Sequence, residues 1–299
     1  MKIKVWIQAF RFRTLPLAFS CIFMGAFIAH IDGAFDWEIL TWSLLTTLFL
    51  QVLSNLANDY GDATSGVDGD QRTGPKRTVS SGLITKVEMR NALIIFSLLS
   101  FFSGIYLVWL AFGDQWRQVI VFLLIGLGAI AAAIKYTVGK RPYGYAGFGD
   151  LFVLLFFGLV GVGGCYFLYT NELNLLVVLP ALCCGFLAVG VLNVNNIRDI
   201  ESDSASGKFS IPVRIGRPKA IVYHWFLLIA APLCLIGYML IRETSFGGLL
   251  FLLVGPMLFS NARAVKTKET SEGLDPYLKQ LALTTLLLVL LFGFGEMFF

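Results

Sequence analysis

Long apolar runs alternate with short polar segments along most of the chain. Nine of these runs are long enough to cross a lipid bilayer as helices, since about 20 apolar residues span its hydrocarbon core. An α-helix satisfies its own backbone hydrogen bonds in lipid, so the pattern predicts an all-α, polytopic membrane bundle of about nine transmembrane helices. The predicted helices cover roughly residues 14–31, 38–57, 91–112, 118–135, 150–170, 175–194, 220–241, 246–262 and 279–298.

Composition supports a membrane protein and excludes an ordinary soluble enzyme. Of the 299 residues, 57% are hydrophobic and 14% are charged, against about 25% charged residues in soluble domains, and the mean hydropathy is +0.76. The first apolar run is as long as a membrane span and no clear small-residue cleavage site follows it, so we interpret it as a helix rather than a cleaved signal peptide. We expect one integral-membrane domain over residues 1–299.

Lysine and arginine residues gather in alternate connections between the predicted helices. Cytoplasmic loops of membrane proteins carry such an excess. We therefore expect the N-terminus and the two long polar loops, 58–90 and 195–219, in the cytoplasm, and the C-terminus outside the cytoplasmic (inner) membrane. The net charge of +4 suits loops that face anionic membrane lipid. It gives no reason to expect a nucleic-acid partner, and the sequence indicates no obligatory protein partner.

Two carboxylate-rich segments, 55–68 and 195–203, each begin where an apolar run ends. If the preceding helix continues into each segment, its Asn and Asp side chains recur every three or four residues and share one helical face. The first face consists of Asn55, Asn58, Asp59 and Asp62, and the second consists of Asn195, Asp199 and Asp203. Two acidic faces of this kind can enclose a site between them.

The chemistry of these faces favours a site for Mg²⁺ and diphosphate. Carboxylates four residues apart repel each other on a bare helix, and partial burial at a membrane boundary disfavours their charged form further. Mg²⁺ offsets this repulsion, since it binds a few carboxylates together with water and substrate phosphate oxygens. Basic residues that suit a departing diphosphate accompany both segments, namely Arg72, Lys76, Arg77, Arg198, Lys208 and Arg214.

Simpler interpretations stay open at this point. Asp and Asn also favour helix caps and turns, and Lys and Arg belong in cytoplasmic loops whatever their function. An ion-coupled transporter, a different class of protein, also carries carboxylates within its membrane segments. Transporters bind near the midplane in broken helices, whereas these carboxylates gather at predicted cytoplasmic helix ends, which favours an enzyme that acts on a diphosphate.

The acidic segments resemble the two motifs of the UbiA superfamily of intramembrane prenyltransferases. Residues 58–66 read N-D-Y-G-D-A-T-S-G where the family has N-D-x-x-D-x-x-x-D, so Gly66 replaces the last aspartate and Asp68 follows two residues later. Asp199 and Asp203 match the second motif, D-x-x-x-D. The likeness extends over nearly the whole chain.

Further stretches look like the branch of the superfamily that acts on 1,4-dihydroxy-2-naphthoate, namely 11–16, 136–145 and 195–208. The resemblance implies a nine-helix bundle with a central cavity under cytoplasmic cap loops. It implies a polyprenyl diphosphate and an aromatic acceptor as substrates, Mg²⁺ as cofactor, and transfer through an allylic cation with loss of CO₂ and diphosphate to give demethylmenaquinone. A sister enzyme with another acceptor, such as 4-hydroxybenzoate, is the main alternative.

The resemblance also implies roles for single residues. The implied metal ligands are Asp59, Asp62, Asp68, Asp199 and Asp203. The implied catalytic residues are Asp62 and Asp199 together with the diphosphate-binding Lys76, Arg77 and Lys208. The implied substrate-binding residues are Asn58, Asn195, Arg72 and Arg198, together with Tyr136, Lys140 and Asp150, which would place the aromatic acceptor.

Overall fold

The computed structural model describes residues 2–65 and 77–299. Over these ranges the chain is almost entirely helical, without a β-strand, and nine helical segments are long and apolar enough to cross a membrane. The segments, α1 to α9, are Lys2–Ile31, Trp37–Ser65, Lys86–Phe112, Trp116–Lys135, Gly149–Thr170, Leu175–Arg198, Arg217–Arg242, Phe246–Thr267 and Ser271–Phe298. The prediction of an all-α polytopic membrane bundle is confirmed.

Several helices extend past the apolar runs that predict them, on the side of the long polar loops. α2 continues to Ser65 and α6 to Arg198, while α3 begins already at Lys86. The Thr85 hydroxyl caps α3 by accepting a hydrogen bond from the Glu88 amide at 3.2 Å. Polar residues continue a helix once the chain has left the lipid, so hydropathy marks the membrane crossing and not the helix end. Both acidic segments therefore begin in the last turns of helices.

α1 contains a break that the apolar pattern does not predict. Residues Lys2–Phe10 form a helix of their own, and Arg11 then adopts a left-handed backbone conformation with φ of 49° before the membrane helix proper begins. Trp6 packs against an apolar cluster of α2 and α3, whereas Ile3 and Ile7 are exposed. A short helix with lysines and exposed isoleucines suits the interface between lipid and water.

The bundle packs around two main apolar clusters with a cavity between them. The larger cluster joins α1 with α5 to α9, and its fully buried members include Met24, Leu187 and Leu235. The other joins α2, α3 and α4 around Leu53 and Met89. A cavity of about 860 Å³ is lined mostly by apolar side chains of α1 to α6. This is the central cavity that the family resemblance implies.

The wall of this cavity includes an unusual stretch of helix. Residues Leu154–Gly164 in the middle of α5 are π-helical, a geometry found often at functional sites. On this stretch, α5 lies so close to α6 that a Cβ added to Gly158 would be 2.7 Å from the carbonyl oxygen of Ala181. Small residues therefore bring these two helices together beside the cavity.

One end of the bundle is closed by two connections, residues 136–148 between α4 and α5 and residues 199–216 between α6 and α7. We call this the capped end. The connections meet where the Phe209 amide donates a hydrogen bond to the Tyr145 carbonyl oxygen at 2.8 Å. The described parts of both acidic segments lie at this end, and Asn55 and Asn58 of the first segment line the cavity.

Candidate active site

Asp62 lies in the last turns of α2, where the helix reaches the capped end. Its buried carboxylate forms an ion pair with Arg77 and accepts a hydrogen bond from the Tyr145 hydroxyl. Arg77 also donates to the main-chain carbonyl oxygen of Asn58, one helical turn earlier. The side-chain oxygen of Asn58 accepts a hydrogen bond from the Thr137 hydroxyl at 3.3 Å. Three of the residues singled out in the sequence, Asn58, Asp62 and Arg77, therefore lie together.

Asp59 neighbours these residues in sequence but contacts a different part of the chain. It is 1% exposed, and its oxygens accept hydrogen bonds from Thr78 N at 3.1 Å, Thr78 Oγ1 at 2.5 Å and Val79 N at 3.3 Å. These bonds fasten the chain after residue 77 to α2. The donors to Asp59 are main-chain and hydroxyl groups of residues 78 and 79 and not a basic side chain, so the geometry gives Asp59 a structural role. Its role as a metal ligand stays a prediction.

Arg198 and Asp199 form a tightly bonded pair at the end of α6. Arg198 Nε and Nη2 donate to the two carboxylate oxygens of Asp199 at 2.8 and 2.7 Å. The same guanidinium donates to Asn195 Oδ1 at 2.9 Å and to Asp275 Oδ1 at 2.7 Å. Arg198 therefore holds Asp199 and Asn195 and links them to Asp275. Its role in binding substrate stays a prediction.

Asp203 lies on the short helix Ile200–Ala205 that follows α6. The Lys208 amide donates to the Asp203 carbonyl oxygen at 2.9 Å, and Lys208 Nζ lies 2.9 Å from Asp203 Oδ2. Both side chains are buried. Burial raises the pKa of Asp203, Lys208 opposes this rise, and the nearby carboxylates of Asp199 and Asp62 add to it. Asp62 of the first segment thus acts electrostatically on Asp203 of the second.

Tyr136 stands where the two acidic segments meet. Burial raises the pKa of its hydroxyl, and the carboxylates of Asp150, Asp203 and Asp62 raise this pKa further. Carboxylates from α2 and from the α6 side therefore act on the same hydroxyl group. Tyr136 and Asn58 also line the cavity, so the site adjoins it.

The other sequence candidates are distributed more widely. Asp150 is buried at the start of α5, and its Oδ2 accepts a hydrogen bond from the Tyr223 hydroxyl at 3.0 Å. Lys140 is exposed in the 136–148 connection. Three candidates lie outside the described residues, namely Asp68, Arg72 and Lys76.

Three residues of the site were not assigned a role from the sequence: Tyr145, Tyr223 and Asp275. Tyr145 ends the stretch 136–145 that resembles the naphthoate branch, which was the available signal for it. Tyr223 and Asp275 lie on other helices than the acidic segments, α7 and α9. Nothing in their local sequence indicates that they reach Asp150 and Arg198.

The donor set fits Mg²⁺ held jointly with a substrate diphosphate better than a dedicated metal cage. Within residues 2–65 and 77–299, no three His, Cys, Asp or Glu side chains form a group that could hold a metal ion. Mg²⁺ needs no such group, since one or two carboxylates bind it together with waters and substrate phosphates. In the described part of the chain, Asp203 Oδ2 is buried and, although near Lys208, takes part in no well-aligned hydrogen bond. An acceptor suited to a cation is therefore present.

Gly61, next to Asp62, marks a close approach between α2 and the cap. A Cβ added there would lie 2.6 Å from both the carbonyl oxygen and Oγ1 of Thr137, whose hydroxyl already donates to Ala57 O at 2.9 Å. We expect Gly61→Ala to force the two segments apart and to lower the free energy of unfolding by about 1–3 kcal/mol. Thermal melting of the purified variants checks this. Gly128→Ala, whose added carbon has no neighbour within 4 Å, is the control, and equal melting temperatures for both variants would contradict the expectation.

The chain is similar to known proteins over most of its length. The sequence profile of the UbiA prenyltransferase family matches residues 18–283. The chain is 42% identical over 296 residues to 1,4-dihydroxy-2-naphthoate octaprenyltransferase of Haemophilus influenzae, covering 98% of this chain and 96% of that protein. It is 44% identical over 292 residues to the Escherichia coli protein of the same name, covering 98% of this chain and 94% of that protein.

Solved structures share the fold. A UbiA homolog from Aeropyrum pernix has a TM-score of 0.70 at 16% identity, covering 96% of this chain and 98% of the other. A UbiA homolog from Archaeoglobus fulgidus bound to GPP and Mg²⁺ has a TM-score of 0.62 at 18% identity, covering 95% of this chain and 98% of the other. The profile match over most of the chain, the two sequence relatives and this common fold lead to one conclusion: the chain belongs to the UbiA prenyltransferase family.

Proposed function

We propose that this protein transfers a polyprenyl group from polyprenyl diphosphate to 1,4-dihydroxy-2-naphthoate, releasing diphosphate and CO₂ and giving the hydroquinone form of demethylmenaquinone. The two relatives at 42% and 44% identity bear the name of an octaprenyltransferase for this acceptor. The structural observation that carries the proposal is the link from Asp62 through Tyr145 to the Phe209 amide, next to the Lys208 that pairs with Asp203. This link lies beside an apolar cavity that Asn58 and Tyr136 line. A polyprenyl diphosphate has a charged head group and an apolar tail. The charged residues suit the head group, and the apolar cavity suits the tail.

The cofactor that we propose is Mg²⁺, with Asp62, Asp199 and Asp203 as its ligands. When bound, it supplies positive charge that neutralises a departing diphosphate. Each of the three carboxylates is paired with a basic side chain, and these partners are Arg77, Arg198 and Lys208 respectively. A divalent cation has to compete with these basic side chains for the carboxylates. A basic side chain that the cation displaces is then free to bind phosphate oxygens. Asp68 stays a predicted ligand.

Arg77 and Lys208 are the described side chains that we propose for binding the diphosphate. Each is largely buried and lies against a carboxylate of the proposed metal set, Asp62 or Asp203. When the bond between the prenyl carbon and oxygen breaks, both electrons stay on the diphosphate. Fixed positive groups stabilise that developing charge, and do so more strongly where water is scarce. Arg72 and Lys76 remain predicted contributors to the same step.

The cavity suits the prenyl tail and the allylic cation left by the departing diphosphate. Its lining is dominated by apolar side chains and includes Tyr143, Phe152 and Phe156. The rings of Tyr143 and Phe152 are stacked with centroids 4.0 Å apart. Aromatic faces attract a nearby cation, and a water-poor cavity protects it from hydrolysis. The new carbon–carbon bond can therefore form before water captures the cation.

Tyr136 and Asp150 are the groups that we propose for placing the aromatic acceptor. Burial and the surrounding carboxylates raise the pKa of the Tyr136 hydroxyl, so it remains a hydrogen-bond donor at neutral pH. Tyr223 fixes the Asp150 carboxylate from α7. Once the electron-rich ring has attacked the prenyl cation, loss of CO₂ restores its aromaticity. Lys140, exposed at the cap, is available to an incoming acidic acceptor.

The same proposal includes a location. The capped end faces the cytoplasm, where water-soluble 1,4-dihydroxy-2-naphthoate reaches it, and the nine helices lie in the cytoplasmic (inner) membrane. The excess of lysine and arginine in the connections at this end supports this orientation. The chain acts as one domain, because residues from α2, α5, α6, α7 and α9 all contribute to the site.

A choice of acceptors tests the proposal. Purified protein in lipid vesicles is supplied with octaprenyl diphosphate, Mg²⁺ and either 1,4-dihydroxy-2-naphthoate or 4-hydroxybenzoate. We expect a prenylated, decarboxylated product from the naphthoate alone, detected by mass spectrometry, and no product once EDTA removes the metal. Transfer to 4-hydroxybenzoate instead would place the protein in a sister branch. Uptake of a substrate into the vesicles without any prenyl transfer would favour a transporter.

A further inference from the structure

Tyr145 contacts the first acidic segment through its side chain and the connection that follows the second acidic segment through its main chain. Its hydroxyl donates a hydrogen bond to Asp62 Oδ1 and lies 3.0 Å from Ser65 Oγ, both on α2. Its carbonyl oxygen accepts a hydrogen bond at 2.8 Å from the amide of Phe209, the residue after Lys208. One residue of the cap therefore contacts the α2 side of the site and the segment that carries Lys208.

The main chain around Tyr145 is held in place by a second set of contacts. Arg214 Nη2 donates to the Ala146 carbonyl oxygen at 2.7 Å, and Arg214 Nε donates to the Phe209 carbonyl oxygen at 3.0 Å. Arg214 thus adds a second bond between the two connections, at Ala146, next to the contact between Tyr145 and Phe209. These bonds hold the main chain at Tyr145 and therefore limit the positions that its hydroxyl can occupy.

The two oxygens of Asp62 have different partners. Tyr145 contacts Oδ1, whereas the cationic Arg77 contacts Oδ2. The Tyr145 hydroxyl is a neutral group and donates a hydrogen bond to Oδ1. Oδ1 is therefore occupied by a fixed neutral donor, and Oδ2 is the oxygen presented to a positive charge.

We propose that Tyr145 is a positioning residue for the metal–diphosphate site. Its hydroxyl holds Oδ1 of Asp62 so that Oδ2 faces the bound cation. Its main-chain bond to Phe209 fixes the position of Lys208 relative to Asp62. This inference rests on the proposed function, which assigns Asp62 as a ligand. Groups that orient a metal-binding side chain in this way change metal affinity by about 10- to 100-fold when they are lost.

Tyr145→Phe tests the side-chain part of the inference, because it removes the hydroxyl and keeps the ring and the main-chain bond. Mg²⁺ binding is measured by calorimetry on the purified full-length protein with inorganic pyrophosphate present. We expect about 10-fold weaker Mg²⁺ binding, a melting temperature without Mg²⁺ close to that of the unmodified protein, and transfer activity that recovers at high Mg²⁺. Tyr60→Phe is the matched control on α2, since the Tyr60 ring packs in the apolar cluster there; we expect it to bind Mg²⁺ normally.

Unchanged Mg²⁺ affinity in Tyr145→Phe would overturn the inference. A lower melting temperature combined with normal Mg²⁺ affinity would also overturn it, because Tyr145 would then only stabilise the cap. The binding measurement uses pyrophosphate and no acceptor, so it does not depend on which acceptor is prenylated. A selective loss of Mg²⁺ affinity therefore supports the inference even if the acceptor test of the proposed function fails.

Discussion

Asp62→Asn is expected to lower prenyl transfer by at least about 100-fold, because a ligand matters at least as much as the groups that orient it. Asparagine keeps an oxygen that can accept the hydrogen bond from Tyr145 but removes the negative charge that attracts a divalent cation. Arg77 loses its ion-pair partner and keeps its bond to the Asn58 carbonyl oxygen, so we expect the variant to fold. Initial rates of purified, reconstituted protein over a range of Mg²⁺ concentrations measure the effect.

Asp59→Asn is the matched control, three residues earlier on the same helix, and we expect the opposite pattern from it. Asp59 accepts hydrogen bonds from Thr78 and Val79, and an amide group cannot accept all of them. We expect a loss of about 2–3 kcal/mol in stability, with near-normal Mg²⁺ affinity in the folded protein. Transfer at the unmodified rate by Asp62→Asn, or a selective loss of Mg²⁺ binding in Asp59→Asn, would contradict the assignment.

The contrast between Asp59 and Asp62 shows what helical spacing can and cannot predict. Periodicity groups Asn55, Asn58, Asp59 and Asp62 on one side of a helix, and the structure does place all four on α2. One side of a helix can nevertheless contact several neighbours. Asn55 donates to the Phe10 carbonyl oxygen and to Thr14 Oγ1, both at 3.0 Å, whereas Asp59 binds the chain after residue 77. Spacing predicts the direction of a side chain, and its partner depends on what packs there.

Features that depend on local sequence were predicted well. The membrane crossings follow from runs of apolar residues, and the acidic segments were expected at helix ends because their polarity begins where those runs stop. The contacts that organise the site are of another kind. Tyr145 and Asp62 are 83 positions apart in the sequence, and Arg198 and Asp275 are 77 positions apart. A single sequence carries no spacing signal for such pairs, since they form only after the helices have packed.

The sequence also identified the residues that form the ion pairs of the site, but it did not predict which residue pairs with which. Charge counting identified Arg77, Arg198 and Lys208 as basic residues near carboxylates. It did not show that Arg198 is bonded to Asp199, Asn195 and Asp275 at once. That arrangement joins Asp199 and Asn195 to α9 through Asp275, whereas Arg77 pairs with Asp62 and Lys208 pairs with Asp203. All three basic side chains are largely buried, so the identity of their partners makes the distinction, and these partners depend on the fold.

Lys208→Gln is expected to lower kcat/KM for polyprenyl diphosphate by about 100-fold, the usual effect of removing one group that stabilises developing negative charge. The variant also separates two roles of the lysine. If Lys208 binds diphosphate, inhibition by pyrophosphate should weaken by a similar factor, whereas Mg²⁺ binding alone should be unchanged or stronger, because Lys208 Nζ no longer competes for Asp203. Initial rates, pyrophosphate inhibition and calorimetry with Mg²⁺ measure these three quantities.

Two further variants decide between a diphosphate ligand and a partner of Asp203 alone. Lys208→Arg keeps the positive charge and should retain much of the transfer activity, while Lys266→Gln removes an exposed lysine on α8 and should change nothing. Equal losses of Mg²⁺ and pyrophosphate binding in Lys208→Gln would mean that the lysine acts only by holding Asp203. If Lys208→Gln loses only pyrophosphate binding and Lys208→Arg retains it, the positive charge of the side chain contacts the departing diphosphate.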